Sequence, residues 1–89
     1  MLEEALSGAH ASINGRYPKT GFAVNQISKE LVYIVKGTGK IVTKTLILHF
    51  KEGDSIFIDS GEVFYWKGNF EMYMVTTPKF DPKQHKILT

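Results

Sequence analysis

Residues 30–36 read Glu-Leu-Val-Tyr-Ile-Val-Lys. β-Branched and aromatic side chains at almost every position favour an extended strand. Alternate residues of a strand point to opposite faces, so Leu31, Tyr33 and Val35 share one side and Val32 and Ile34 the other. Both sides are apolar, and such a strand needs cover on both. A hairpin or a sheet with one wet face does not supply that cover, whereas a sandwich or a barrel does.

The rest of the chain repeats the pattern. Short apolar stretches at 11–17, 22–27, 40–43, 45–50, 55–58, 63–67 and 70–77 alternate with Gly, Pro, Asn and Asp. Strands recurring every ~8–12 residues with turn residues between them indicate an all-β barrel or sandwich. Gly37-Thr38-Gly39 reads as a hairpin turn, and Gly68-Asn69 as another, because glycine adopts positive φ without steric cost. Pro78 and Pro82 are expected to end the regular sheet, leaving a tail across the barrel or a neighbouring subunit. At the other end, Leu2, Ala5, Leu6 and Ala9 fall at helical spacing. Residues 1–10 therefore read as an extension, a short helix or a frayed segment, and residues 11–89 as the barrel domain with its tail.

At 89 residues the chain makes one domain. Six Phe, four Tyr and one Trp supply a core and argue against disorder. No cysteine is present, which excludes disulfides and thiolate metal sites. Ten of the eleven basic residues are lysines spread along the chain, so no nucleic-acid partner is expected. No apolar run approaches the ~20 residues of a membrane helix. The opening Met1-Leu2-Glu3-Glu4 is acidic where a signal peptide is basic, and a cytoplasmic protein is expected.

Two stretches resemble the paired motifs of the cupin superfamily. Glu30 is followed after six residues by Gly37, and residues 30–39 look like that family's first-motif strand and turn. Gly53-Asp54, with Gly61 later, keeps the opening and the spacing of the second motif. The resemblance covers roughly residues 16–78 and extends to a subgroup of small single-domain cupins. It implies a small antiparallel β-barrel of jelly-roll type and, in the cupins that carry metal, a metal held by three histidines and a glutamate. In this chain the first two histidine positions fall on Ala23 and Asn25, or on Val24 and Gln26 with the shorter spacing. The third falls on Phe64, and only Glu30 remains of the four ligands. A divalent ion needs several converging donors, so neither a metal site nor a cofactor is expected.

The candidate pocket is then Asn25, Glu30, Phe64 and Trp66. Phe64 and Trp66 share a face and point into the barrel by registry with the motif, either as an aromatic wall for a sugar-like or aromatic ligand or as core filling. Glu30 is the candidate catalytic residue. Inside the barrel its carboxyl is either a ligand acceptor or base, or a structural acid paired with Asn25, a lysine or backbone N–H groups. The three histidines, His10, His49 and His85, have no ligand spacing and read as exposed or interface residues. The expected function is a metal-independent small-molecule binding barrel rather than an enzyme. The alternatives are a cupin enzyme, with atypical metal ligands or with Glu30 and a tyrosine moving protons, and a filled scaffold that binds nothing. The apolar outer face carrying Leu31, Tyr33 and Val35 points to a homodimer.

Overall fold

The structure, a computed structural model, describes residues 7–77 and 82–88. Its elements are β1 (Ser7–Tyr17), β2 (Phe22–Asn25), β3 (Lys29–Thr43), β4 (Ile47–Lys51), β5 (Ser55–Ile58), β6 (Val63–Thr77), one 3-10 turn at Pro82–Gln84, and β7 (His85–Leu88). All strand pairs are antiparallel. No helix among the described residues is long and apolar enough to cross a membrane.

Two long strands organise the barrel. β3 and β6 pair from Lys29↔Thr77 to Thr43↔Phe64. β5 and β4 line the other edge of β3, while β1 and β2 line the other edge of β6, and β7 extends the sheet beyond β2. Even-numbered residues of β6 (Phe64, Trp66, Phe70, Met72) face the core. β3 begins with the same parity at Glu30, Val32 and Ile34, then shifts at a bulge between Ile34 and Lys36, so that Ile41 faces inward beyond it.

The glycines expected to be turns lie inside these strands. Gly37-Thr38-Gly39 continues β3, and Gly68-Asn69 continues β6. Gly39 and Gly68 are cross-strand partners. A Cβ at Gly68 would stand 2.5 Å from the Gly39 Cα, and one at Gly39 would stand 2.7 Å from the Lys67 carbonyl oxygen and 2.9 Å from the Phe70 ring. Glycine here permits close approach of two backbones and two rings rather than a reversal of the chain. The reversal comes later, where Thr43 Oγ1 accepts from the Thr45 and Leu46 N–H groups at 3.3 and 3.1 Å.

Both chain ends also depart from expectation. Ser7 to His10 belong to β1 and pair with β6, so they are neither helix nor extension; Leu2, Ala5 and Leu6 lie outside the described residues. The C-terminal segment does not lie across the barrel. After the 3-10 turn, residues 85–88 pair with β2 and rejoin the sheet.

The core is aromatic at one end of the barrel. Phe50 sits 4.8 Å from Phe70 and 5.6 Å from Trp66, ring centroid to ring centroid, and Phe64 lies 6.2 Å from Trp66. Outside, Leu31 is opposite Phe57 and Tyr33 opposite Tyr73, and all four side chains are exposed. We predict that Gly68→Ala destabilises the fold by about 2 kcal/mol or more, because its Cβ meets backbone atoms that cannot move aside. Urea unfolding measures this, and a change under 0.5 kcal/mol would show that the strands part at little cost.

Candidate functional site

The other end of the barrel is hollow. A cavity of about 560 Å³ is lined by residues from β1, β3, β6 and β7. The inward residues of β1 there are small, Ala9 and Ala11, and face Met74 and Met72 across the strand pair. Phe64 and Trp66 form its aromatic wall. The barrel is therefore not filled by its own side chains.

Four polar side chains meet at this cavity in one hydrogen-bonded row. Asn25 and His85 are cross-strand partners in the β2–β7 ladder, which puts their side chains on one face. His85 Nδ1 is 2.7 Å from Asn25 Oδ1, and Asn25 Nδ2 donates to Glu30 Oε1 at 3.2 Å. At the other end of the row, Tyr17 Oη is 3.0 Å from His85 Nε2, and the two rings stack 13° from parallel. An amide oxygen only accepts, so Nδ1 carries the proton in this orientation of Asn25, and Nε2 accepts from the Tyr17 hydroxyl.

Local structure fixes each member. Arg16 donates to the Pro18 and Gly21 carbonyls at 2.6 and 2.8 Å and lies 3.9 Å over the Tyr65 ring, holding the turn that follows Tyr17. Gln84 accepts from the Ile27 and Ser28 N–H groups at 3.0 and 3.1 Å through Oε1, and its backbone carbonyl accepts from Gln26 N–H at 2.9 Å. That clamp sets the start of β7 against the end of β2 and so delivers His85 to Asn25.

Burial governs the electrostatics. Glu30 is 5% exposed, and desolvation raises its carboxyl above the usual glutamate range, partly offset by the Asn25 hydrogen bond. Desolvation also lowers the His85 imidazole below the usual histidine range. Burial thus favours the neutral form of each.

Of the sequence-derived residues, Glu30, Phe64 and Trp66 line the cavity. Asn25 does not. It is 1% exposed and stands behind Glu30 and His85, where it ties the two together. His85 and Tyr17, which line the cavity as well, were missed. His85 is half-buried in a strand rather than exposed in a tail, while His10, against Glu71 at 3.3 Å, and His49 are exposed. Ala23 is fully buried opposite Phe64, and among the described residues no group of three or more His, Cys, Asp or Glu is placed to hold a metal ion. Around Glu30 the neighbours are an amide, an alanine and aromatic rings, a donor set that does not fit a divalent metal.

No protein-family model matches the chain, and no curated protein matches it. Solved structures do match. A variant of Streptomyces PAC13 solved with uridine is similar at TM-score 0.87 and 16% identity, over 100% of this chain and 72% of that one. PAC13 is described as a β-barrel and a nucleoside dehydratase. Oxalate decarboxylase from Bacillus subtilis is similar at TM-score 0.86 and 16% identity, over 98% of this chain and 25% of that one. Ectoine synthase from P. lautus is similar at TM-score 0.74 and 18% identity, over 98% of this chain and 68% of that one. All three are cupin-fold proteins, and this chain has the cupin fold.

The Glu30 carboxyl gives a pH signature. Its pKa is raised in the folded state, so its contribution to stability is present below the ordinary value of 4.5 and is lost as pH rises through the raised value. Glu30→Gln removes that loss. Urea midpoints across this range should show the variant gaining on the unsubstituted protein as pH rises from 4.5 toward neutrality. A pH-independent difference would show that Glu30 titrates as it does in water.

Proposed function

We propose that this chain is a cupin without the metal-binding histidines, and that its barrel binds an uncharged small molecule bearing a ring. The observation that carries the reading is the cavity of about 560 Å³, which combines an aromatic and methionine wall with a short polar row. Its volume lies within the roughly 300–1,000 Å³ of small-molecule sites. Phe64 and Trp66 offer faces for a flat ring, and Tyr17, Glu30 and His85 offer donors and acceptors for hydroxyl or carbonyl groups. A largely neutral wall favours an uncharged ligand, because a charged one would lose its hydration without gaining a counter-ion. A nucleoside is the ligand class to try first, since the similar PAC13 structure holds uridine.

Trp66 is the only tryptophan and lines the cavity, so its fluorescence reports binding. Uridine should quench it saturably. Ala9→Phe, which narrows the cavity from β1, should weaken binding at least about tenfold, or ~1.4 kcal/mol, while leaving the melting temperature nearly unchanged. Absence of any saturable signal with uridine, free ribose or uracil would remove the reading. Near-stoichiometric iron, nickel or zinc in purified protein, lost in Glu30→Ala, would replace it with a metal enzyme.

The proposal includes a second copy of the chain packed on the outer face of β5, β3 and β6. The exposed patch there, Leu31, Phe57, Tyr33 and Tyr73, is continuous through the strand register. Sedimentation should give a dimer that Tyr33→Lys converts to a monomer. A monomer at all concentrations would exclude it.

A further inference from the structure

We infer that the cavity is an acid–base site in which His85 is the proton acceptor, Glu30 the proton donor and Asn25 the residue that positions both. The inference rests on the reading of the cavity as a ligand site. It adds a metal-free proton shift on a neutral substrate with a C–H bond next to a carbonyl.

The geometry supports each role. Asn25 Oδ1 at 2.7 Å from Nδ1 fixes the imidazole tautomer and leaves the Nε2 lone pair on the cavity side. Nε2 meets the hydroxyl of Tyr17 at 3.0 Å, a side chain that is 42% exposed and lines the same cavity, so an entering ligand that displaces it meets the imidazole. Glu30 Oε1 receives the other half of the Asn25 amide at 3.2 Å. One amide thus bridges a base and an acid that both reach the cavity wall. A serving base must be neutral and a serving acid protonated, and burial biases His85 and Glu30 in those directions.

The step balances without a co-reactant. His85 Nε2 takes the proton from carbon, and the released C–H pair forms a C=C bond. The carbonyl π pair moves to oxygen, which takes the Glu30 proton and becomes an enol hydroxyl. An imidazolium and a carboxylate remain. Where the carbon that lost its proton bears a hydroxyl, the intermediate is an enediol. His85 returns its proton to the former carbonyl carbon while the Glu30 carboxylate takes the proton of the neighbouring hydroxyl, whose oxygen becomes the new carbonyl. The net result is the isomerisation of an α-hydroxy carbonyl compound.

Nitrobenzisoxazole tests the base directly. Removal of its C–H proton forms a nitrile as the N–O bond breaks, and the electron pair goes to the phenolic oxygen. The protein should turn this probe over with saturation. His85→Gln, which keeps a hydrogen-bonding amide beside Asn25, should lower kcat/KM by about a hundredfold, and Glu30→Gln by a smaller factor. The pH profile of kcat/KM should rise through one ionisation below the usual histidine range; Tyr17 and Glu30 are the other titratable groups lining the cavity. Equal turnover by His85→Gln with an unchanged melting curve would overturn the inference. If that variant fails to fold, a profile that rises only with hydroxide overturns it instead. Uridine binding separates the two readings: binding without probe turnover removes the proton shift alone, and absence of both removes the ligand site with it.

Discussion

The barrel depends on the contact between β3 and β6 where Gly39 meets Gly68. Two strands of fifteen residues each run side by side through that point, and every other strand pairs with one of them or, in the case of β7, with β2. A side chain at either glycine would drive the backbones apart, and one at Gly39 would also push out Phe70 and Phe50, which pack over it. Those rings with Trp66 form the plug that makes one end of the barrel solid. Edge-to-face aromatic pairs contribute ~0.5–1.5 kcal/mol each beyond their buried area, so a shift of the strand pair would be felt throughout the cluster. The same strands at the other end enclose a cavity instead, because β1 supplies alanines where the plug has rings.

A hollow end with apolar walls is a costly place for a carboxyl and an imidazole. Asn25 reconciles them because an amide both donates and accepts: its Nδ2 serves Glu30 while its Oδ1 receives the His85 Nδ1 proton. An aspartate at this position would accept from His85 but could not donate to Glu30, and a lysine would donate to Glu30 but could not accept from His85 Nδ1. The row thereby ties two titratable groups inside the barrel to one amide, and it depends on β7 lying in register beside β2.

The fold was legible in the sequence where side-chain period carried it. The parity that places Glu30, Val32 and Ile34 on one face, and Phe64 and Trp66 on one face, follows from strand geometry alone, and these residues are buried. The glycines were misleading because one residue type serves two purposes. Glycine relieves positive φ in a turn and also permits close backbone approach within a strand, and only the partner across the ladder distinguishes the two. Gly37 and Gly39 could not announce Gly68 from a distance of about thirty positions in the chain. His85 was hidden for a similar reason. Its partner Asn25 is sixty residues away, and the two prolines before it signal an end to the sheet, whereas the chain makes one 3-10 turn and rejoins.

That distribution of legible and hidden residues has a physical source. Ala23 and Phe64 lie opposite each other on adjacent strands, a small side chain under a large ring, and together they make apolar wall. The polar row comes from the end of β1 (Tyr17), the end of β2 (Asn25), the start of β3 (Glu30) and the start of β7 (His85). Each is placed by a backbone clamp, Arg16 on one side and Gln84 on the other. The strand interiors shape the container, and the strand ends carry the groups with protons to exchange. In such a barrel the chemistry is read from residues that meet only after the last strand has closed against the second.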